Sequence, residues 1–246
     1  MSLKEVQYMK VLLIIPAYNE EESILSTIEA VKEYQKIFPY QLDYIVINDG
    51  SVDDTEVILK KEGINHITLL LNLGIGGAVQ TGYKYALEYG FDIAIQFDGD
   101  GQHDIHSLEN LIEPLISEKA DLVIGSRFLG VQKSEFQTTL MRRLGINILS
   151  SFIKLVSGRT IKDTTSGYRA GNKIIIQEFA KRYPTKYPEP ESIVYVLKKG
   201  YKVQERPANM FERKGGVSSI TTFKSVKYMI DVCSAILILS LLKEKD

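Results

Sequence analysis

Short apolar runs alternate with segments of helical periodicity through the first 126 residues, and this order restricts the possible fold more than any other feature of the chain. The apolar runs predict strands at 10–16, 44–49, 66–71, 91–97 and 120–126. The segments between them predict helices at 20–37, 51–63, 76–90 and 105–118. Strands that alternate with helices favour a mostly parallel sheet with helices on both faces. We therefore expect an α/β fold.

The alternation weakens after residue 127. We predict helices at 139–157 and 172–182, a loop at 159–171, a strand at 200–207, a basic loop at 212–219 and a last helix at about 221–242. No internal repeat or low-complexity linker interrupts the sequence. We therefore expect one domain over 1–246, with a first half at 10–127, a second half at 128–220 and a C-terminal amphipathic helix at 221–246.

The composition is that of a globular protein. Of the 246 residues, 44% are hydrophobic, and the net charge of −1 gives no general attraction to nucleic acid, which is therefore not an expected partner. Because Cys233 is the single cysteine, no disulfide can form within the chain, and the cytoplasm is the expected compartment. The N-terminus contains no long apolar segment, so we expect no signal peptide.

Charge and hydropathy are distributed unevenly along the chain. Residues 92–121 contain eight acidic side chains and one basic one, whereas residues 198–227 contain eight basic and two acidic ones. This asymmetry predicts either an acidic metal-binding pole and a basic pole that faces an anion or a membrane, or two solvated faces. The longest apolar stretch, 228–242, is interrupted by Asp231 and is shorter than the roughly 20 residues of a spanning helix. It predicts a buried helix or one that lies on a membrane.

Polar motifs follow each of the five strands predicted in the first half. They are PAYNE after the first, NDGS after the second, NLGIGG after the third, DGDGQHD after the fourth and GSR after the fifth. In α/β sheets, ligands bind at the carboxyl ends of the strands. Five polar motifs at one edge therefore indicate a functional site.

The DGDGQHD segment is the strongest candidate for a metal site. Asp98 and Asp100 lie two positions apart, on one face of an extended chain, and Gln102 is the next residue on that face. Their oxygens suit Mg²⁺ or Mn²⁺, and a cation would relieve the repulsion between the two carboxylates. The alternative is an Asp-Gly turn that caps the following helix. We expect His103 to support this site rather than to bind the metal.

Two other strand ends carry candidate ligand-binding residues. Asp49 ends the second strand beside Gly50, and its carboxylate could accept hydrogen bonds from a base or a ribose. The alternative is a strand-to-helix turn in which Asp53 caps the helix. The NLGIGG motif lacks the last glycine of a dinucleotide-binding fingerprint, because that position is Val79. The alternative that the backbone of this motif closely approaches some other ligand stays open.

Together these motifs resemble those of glycosyltransferase family 2, whose members have the GT-A fold. IPAYNEEESI, VINDGSVDDT, NLGIGGAVQTGY, FDGDGQHD and VIGSRF carry the resemblance in the first half. RRLGINILSSFIKLVSG, IKDTTSGYRA and FERKGGVSSI resemble the branch that includes dolichol-phosphate mannose synthase and bacterial polyprenyl-phosphate glucosyltransferases. One departure is Asn48, where the family usually has an acidic residue. Asp49 follows it, so binding is expected to survive.

The resemblance implies that a sugar is transferred, with inversion, from a UDP- or GDP-sugar. It implies a nucleoside site formed by Pro16, Ala17, Tyr18, Glu20 and Asp49. It places the metal of the diphosphate on Asp98, Asp100 and Gln102. Gly74, Asp98 and Gly99 are further expected contacts of the nucleotide sugar, and Arg213 with Lys214 is expected to close over the diphosphate.

The same branch implies a polyprenyl or dolichyl phosphate as acceptor, which arginines would bind. The candidate arginines are Arg127, Arg142, Arg143, Arg169 and Arg213. We expect Arg127 and Arg143 to bind the acceptor phosphate and so to act with Asp100 in catalysis. Asp163 is expected to act as a base, to orient the acceptor or to form a structural turn. For any one arginine, the alternative is a surface ion pair.

A lipid acceptor implies peripheral contact with the cytoplasmic face of a membrane. One stripe of the last helix consists of Phe223, Val226, Ile230, Cys233 and Leu237, with Lys224 and Lys227 near the helix start. The stripe predicts either docking on lipid or packing against the sheet or a partner. The partner could be a membrane subunit or a second copy of the chain in a homo-oligomer, and the sequence leaves both alternatives open.

Three other activities share parts of this pattern. A family-2 transferase that acts on a glycan or protein hydroxyl, in cell-surface polysaccharide synthesis, would need a general base and would make Asp163 or Asp104 indispensable. A nucleotidyltransferase is disfavoured because PAYNE replaces the usual Gly-rich, Arg-containing loop after the first strand. A sensor of nucleotide sugars without enzymatic activity is disfavoured because both Asp98 and Asp100 are present.

Overall fold

The computed structural model describes residues 9–129, 140–211 and 222–241. Its centre is a seven-stranded sheet with the order β3-β2-β1-β4-β6-β5-β7. The strands are β1 (Lys10–Ala17), β2 (Gln41–Asn48), β3 (His66–Thr68), β4 (Ile93–Gln96), β5 (Leu122–Ser126), β6 (Arg169–Asn172) and β7 (Val203–Pro207). Neighbouring strands are parallel except where β6 pairs with β4 and β5.

Eight α-helices surround the sheet in the described ranges. They are α1 (Ile24–Gln35), α2 (Thr55–Lys61), α3 (Gly74–Glu88), α4 (Leu108–Ile116), α5 (Leu140–Ser157), α6 (Lys173–Lys181), α7 (Pro188–Lys198) and α8 (Thr222–Leu241). A 3₁₀ turn, Ile105–Ser107, leads into α4. Every strand and helix predicted before residue 127 is present, although most begin or end a few residues inside the predicted bounds.

The sheet separates two apolar cores, because successive strand side chains point to opposite faces. In β1, Val11 and Leu13 join α1 and α4 in one core, whereas Leu12 and Ile14 join α3 and α5–α8 in the other. All four of these side chains are fully buried. This continuous burial explains why β1 is apolar without alternation, and it confirms the predicted α/β sheet with helices on both faces.

The end of the predicted loop at 159–171 is instead part of β6, the antiparallel strand. Its sequence, RAGN, contains no β-branched or aromatic residue and so gave no strand signal. The strand is held by its pairing with β4 on one side and β5 on the other. Because β6 runs antiparallel, the residues just before Arg169 lie at the carboxyl ends of β4 and β5, beside the predicted metal site.

Helix α7 was not predicted from the sequence. Pro188 and Pro190, which favour a loop, lie in its first turn. Proline is tolerated there because the first backbone N–H groups of a helix have no partner within the helix. The residues from Ile193 to Val196 then pack into the core together with α8.

The start of α3 packs directly against the backbone of the loop that connects α6 to α7. A Cβ atom on Gly76 would lie 2.3 Å from the carbonyl oxygen of Pro184 and 2.6 Å from the Cα of Thr185. Gly145, in α5, offers a contrast, because its Cβ would meet only the sulfur of Met229 at 3.5 Å. The two helical glycines therefore differ in the space that an alanine would find.

We expect Gly76→Ala to lower the free energy of unfolding by about 1–3 kcal/mol, because the added methyl group would push α3 away from the backbone of Pro184 and Thr185. Gly145→Ala is expected to leave stability unchanged or to raise it by about 0.5–1 kcal/mol, because alanine favours the helix. Urea unfolding of the two variants and the wild type measures both values. Equal stability of the two variants would contradict the packing described for Gly76.

Candidate active site

The predicted metal-binding residues lie in the loop that follows β4, at the carboxyl edge of the sheet. Asp98, Asp100 and Gln102 are all partly exposed. The backbone N–H of Gln102 donates to Asp100 Oδ1 at 3.0 Å, and Gly101 adopts a φ of +74° that shapes the turn. Gly99 is buried, and a Cβ atom added to it would lie 3.1 Å from the carbonyl oxygen of Pro16 near the end of β1. The loop thus presents both carboxylates at the predicted edge.

The carboxylate of Asp98 lies among polar groups that the fold holds in place. Gln96 Nε2 donates to its Oδ1 at 3.3 Å, and His103 Nε2 lies 3.4 Å from its Oδ2. A Cβ atom on Gly167 would lie 3.1 Å from Oδ2 and 2.8 Å from Gln96 Nε2. The segment before β6 can approach Asp98 this closely only because residue 167 is glycine.

The loop is joined to the residues that end the second described range. Phe211 N–H donates to the Gln102 carbonyl at 2.8 Å, and Gln102 Nε2 donates to the Phe211 carbonyl at 3.4 Å. His103 forms an antiparallel bridge with Met210. Arg213 and Lys214 follow this junction but lie outside the described residues, so their predicted contact with the diphosphate stays a prediction.

Asp104 has a structural role at the end of the loop. Its Oδ1 accepts from the His106 backbone N–H at 3.0 Å and so caps the 3₁₀ turn. Its Oδ2 accepts from Asn209 Nδ2 at 3.2 Å. Both carboxylate oxygens of Asp104 are therefore engaged in holding the loop.

The predicted nucleoside residues occupy the ends of β1 and β2. Pro16 and Ala17 are buried in the strand, whereas the ring of Tyr18 is 46% exposed. Glu20 accepts a hydrogen bond from Ser23 Oγ at 2.7 Å, and its backbone N–H donates to Thr55 Oγ1. The structure thus places these residues beside one another at the carboxyl edge of the sheet, which we call the rim. Tyr18 offers the largest exposed surface among them.

Asp49 is buried at the end of β2 and connects that strand to α3. Its Oδ1 accepts from the Leu73 backbone N–H at 2.7 Å. Burial raises the pKa of this carboxyl group, and the N–H groups of Leu73 and Gly74 partly offset the effect. Asn48, the departure from the family pattern, is fully buried and bonds Thr68 and Ser51, so it belongs to the interior of the turn.

Arg127 and Asp163 form a buried ion pair. Asp163 accepts from Arg127 Nε at 2.8 Å, from its Nη2 at 2.6 Å and from its backbone N–H at 3.0 Å. The Arg127 side chain is 5% exposed and that of Asp163 is not exposed. The carboxylate of Glu205 accepts the backbone N–H groups of Lys162 and Asp163, both at 2.8 Å, and so fixes the segment.

The sequence did not predict this pairing, although a structural turn was one of the roles expected for Asp163 and an ion pair was the alternative for any one arginine. Nothing tests their predicted contacts with the acceptor, and those contacts stay predictions. Arg143 is exposed, and its guanidinium carbon lies 3.8 Å from the centre of the Phe128 ring, which is a cation–π contact. Phe128 directly follows Arg127, so Arg143 lies next to the ion pair.

Arg169 was expected among the phosphate-binding arginines, and its position is a correction. It is 1% exposed. Its Nε donates to the Ser166 carbonyl and its Nη1 to the Glu189 carbonyl and to Ser192 Oγ, each at 2.7 Å. Arg169 therefore joins the segment before β6 to the first turn of α7. The side chain of Arg142 lies outside the described residues.

Helix α7 supplies the residues near the site that sequence reasoning missed. Glu189 is in its first turn, and burial raises the pKa of the Glu189 carboxyl group, although Arg169 lowers it. Apart from its acidic residues, the YPEPES sequence gave no indication of a functional site, and its prolines favoured a loop rather than a helix.

The oxygen donors of the rim fit a divalent cation. Among the described residues, no group of three or more His, Cys, Asp or Glu side chains could hold a metal by itself. Mg²⁺ is commonly bound by one or two carboxylates together with substrate phosphates. Two partly exposed carboxylates at an open edge match that arrangement, and the substrate diphosphate would complete the ligand set.

Comparison with known proteins identifies the family. The model of glycosyl transferase family 2 matches residues 12–182, which include the whole rim. The chain belongs to glycosyl transferase family 2. A UDP-N-acetylglucosamine–dolichyl-phosphate N-acetylglucosaminyltransferase from Methanococcus voltae is 34% identical to this glycosyltransferase over 196 residues, which cover 70% of this chain and 75% of that protein. An undecaprenyl-phosphate mannosyltransferase from Micrococcus luteus is 32% identical over 168 residues, 66% of each chain.

A solved structure with the same fold is that of glucosyl-3-phosphoglycerate synthase from Mycobacterium tuberculosis, in complex with Mn²⁺, UDP-glucose and phosphoglyceric acid. It superimposes with a TM-score of 0.68 at 17% identity and covers 100% of the glycosyltransferase chain and 86% of its own. The likeness confirms the predicted GT-A fold. The enzyme class expected from the sequence, a glycosyltransferase, is confirmed by the family.

Proposed function

We propose that the glycosyltransferase moves a sugar, with inversion, from a UDP- or GDP-sugar to a polyprenyl phosphate. The observation that carries sugar transfer is the pair of partly exposed carboxylates, Asp98 and Asp100, at the carboxyl edge of the sheet. The acceptor class rests on relatives named for dolichyl-phosphate and undecaprenyl-phosphate transfer. Residues 10–127 would bind the donor, and residues 128–220 would bind the acceptor.

Mg²⁺ or Mn²⁺ is proposed as the cofactor, held by Asp98, Asp100 and Gln102. A bound cation would stabilise the negative charge that develops on the departing nucleoside diphosphate. The backbone N–H of Gln102 donates to Asp100 Oδ1, which orients this carboxylate at the edge of the sheet. The nucleoside would contact Tyr18, Asp49 and Gly74, with Arg213 and Lys214 over the diphosphate.

A phosphate acceptor explains why the site needs no strong base. A phosphate monoester is already an anion at neutral pH, so its oxygen can attack without losing a proton. Positioning and charge stabilisation then determine the rate. Arg143 is proposed to bind the acceptor phosphate from the exposed side of Phe128. Arg127 is proposed to contribute positive charge at the rim while Asp163 holds its guanidinium in place.

The enzyme is proposed to bind the membrane that contains its acceptor. None of the helices in the described ranges is long and apolar enough to cross a bilayer. Helices α5 and α8 nevertheless expose apolar side chains, which we call the α5–α8 ridge: Leu144, Ile148, Leu155, Ile230, Leu237, Ile238 and Leu241. The helices contact each other where Gly145 meets Met229. Exposed apolar patches of this kind mark interaction sites.

Two residues of the predicted stripe, Ile230 and Leu237, are part of this ridge, whereas Cys233 packs against the core. Ile230 is 62% exposed and Leu237 is 45% exposed, whereas Val232 and Ile236 pack into the core. The helix is therefore apolar on two faces, one against the protein and one outward. Phe223, Val226, Lys224 and Lys227 have side chains outside the described residues, so their part in the stripe stays a prediction.

We expect Ile230→Glu/Leu237→Glu to lose binding to vesicles of phosphatidylcholine and phosphatidylglycerol by at least about tenfold, since each change places a charge in the proposed contact. Co-flotation with the vesicles measures binding. Leu70→Glu is the matched control, because Leu70 is 99% exposed but lies outside the ridge. Equal binding by the wild type, the double variant and Leu70→Glu would contradict membrane docking through the ridge. A second copy of the chain or a membrane subunit would then be the better partner for this surface.

A transfer assay tests the proposed function. Purified enzyme is mixed with Mn²⁺ or Mg²⁺, a panel of labelled UDP- and GDP-sugars, and undecaprenyl or dolichyl phosphate. We expect label from one donor to move into the organic phase, and EDTA to abolish the transfer. Metal-dependent binding of a donor without any lipid product would contradict the lipid phosphate acceptor. It would favour a glycan or protein hydroxyl instead.

A further inference from the structure

The loop that connects α6 to α7 borders a cavity to which the proposed sugar transfer gives no role. The cavity has a volume of about 230 Å³. Its walls come from that loop, from Glu191 and Tyr195 in α7, and from Leu239 in the last turns of α8. Sites for small molecules usually measure about 300–1,000 Å³, so this cavity is too small for a nucleotide sugar. It is large enough for a single phosphate group.

The cavity is lined by more positive than negative charge. Arg182 and Lys186 supply two cations, and Glu191 supplies one carboxylate. Burial raises the pKa of the Glu191 carboxyl group, and the charges of Arg182 and Lys186 partly offset the effect. The Arg182 guanidinium carbon lies 5.6 Å from the centre of the Tyr195 ring, and Lys186 Nζ lies 5.4 Å from that of Tyr187. An aromatic ring holds a cation without cancelling its charge, so the cavity attracts an anion.

The walls of the cavity are fixed by contacts outside it. Tyr195 is 5% exposed, and its hydroxyl donates to Glu178 Oε2 at 2.6 Å. On the other side, the backbone of Pro184 packs against Gly76 at the start of α3. The cavity is therefore formed by the fold before any ligand binds.

The same loop is joined to the side of α8 that borders the α5–α8 ridge. The Tyr187 hydroxyl donates to Asp231 Oδ2 at 3.1 Å, which explains the charge within the apolar stretch of the last helix. Ile238 follows Asp231 by seven positions, which is about two turns, so both lie on the same side of the helix. Ile238 and Leu241 belong to the ridge, and Leu239 between them lines the cavity.

We infer that the cavity binds the phosphate of an anionic phospholipid whose acyl chains lie on the α5–α8 ridge, and this inference rests on the proposed docking of that ridge. Arginine can bind two phosphate oxygens at once, and lysine adds a compact charge. An apolar ridge alone does not distinguish one phospholipid from another. A cationic cavity at its edge gives the enzyme a preference for an anionic headgroup.

The variant Arg182→Gln/Lys186→Gln removes both cations of the cavity and keeps polar side chains there. We expect it to bind vesicles of phosphatidylcholine and phosphatidylglycerol about thirtyfold less tightly than the wild type. Vesicles of phosphatidylcholine alone should bind both proteins equally, because the ridge is unchanged. Co-flotation measures both affinities. Lys32→Gln/Lys61→Gln is the matched control, since these exposed lysines lie on α1 and α2, at the other face of the sheet.

Glu191→Gln changes the charge of the cavity in the opposite direction. It removes the carboxylate that faces the two cations, so we expect binding to the phosphatidylglycerol vesicles to become about fivefold tighter. The control is Glu29→Gln, an exposed position on α1. Because a folding defect would not tighten binding, this variant tests the inference even if the cationic variant does not fold. Equal binding by Glu191→Gln and Glu29→Gln would overturn it.

A cationic variant that binds the phosphatidylglycerol vesicles like its lysine control would also overturn the inference. This holds even if calorimetry shows that inorganic phosphate binds the wild type and not the variant, because the cavity would then serve a free phosphate. A preference for anionic lipid that depends on Arg182 and Lys186 supports the headgroup site.

The outcome is separate from that of the proposed function. The flotation measurements contain no donor sugar and no polyprenyl phosphate, so they are valid whether or not sugar transfer is found. If Ile230→Glu/Leu237→Glu loses binding and the cationic variant does not, only the role of the cavity fails. If both variants bind like the wild type, the proposed membrane docking fails as well.

Discussion

Asp100→Asn is expected to lower kcat/KM for sugar transfer by about a thousandfold, which corresponds to about 4 kcal/mol of transition-state stabilisation. The change removes the negative charge that would hold the cation on the diphosphate. It preserves the local structure, because the asparagine Oδ1 can still accept the hydrogen bond that the Gln102 N–H donates to Asp100. Initial rates at saturating Mn²⁺, with varied donor, measure the effect.

Asp104→Asn is the matched control, four residues further along the same loop. Its Oδ1 accepts an equivalent backbone hydrogen bond, from His106 at 3.0 Å. For a lipid phosphate acceptor, we expect this variant to transfer sugar at nearly the wild-type rate. A large loss in Asp104→Asn alone would favour a hydroxyl acceptor with Asp104 as base. An active Asp100→Asn variant would contradict the metal site itself.

The position of this site could be predicted from the sequence because it depends on local patterns. Each strand before residue 127 is an apolar run that ends in a polar motif, and parallel strands bring those ends to one edge. Asp98 and Asp100 follow the buried strand β4, so their location at the edge needed no knowledge of distant contacts.

The second half could not be predicted as well, because its structure depends on distant partners. Strand β6 is stabilised by β4 and β5 rather than by its own residues, and α7 begins with prolines that usually mark a loop. Arg127 and Asp163 are separated by 36 positions, and nothing near either residue indicates the other. Arg169 illustrates the same limit, since its burial follows from the position of α7.

Asp163→Ala is expected to lower the free energy of unfolding by about 3–5 kcal/mol, because it removes the carboxylate that compensates a buried guanidinium. Asp163 accepts three hydrogen bonds from Arg127, and its side chain is fully buried. The exposed ion pair of Glu113 with Arg206 is the control, and Glu113→Ala is expected to have a much smaller effect. Urea unfolding of both variants measures the contrast.

The double variant Arg127→Met/Asp163→Leu separates the structural role of the pair from a catalytic one. Apolar side chains of similar volume often replace a buried ion pair without loss of stability, so we expect it to recover most of what Asp163→Ala loses. If the recovered protein transfers sugar normally, the pair serves only the fold, and the acceptor phosphate is bound elsewhere. If it is folded but inactive, the pair takes part in the reaction as well as in the fold.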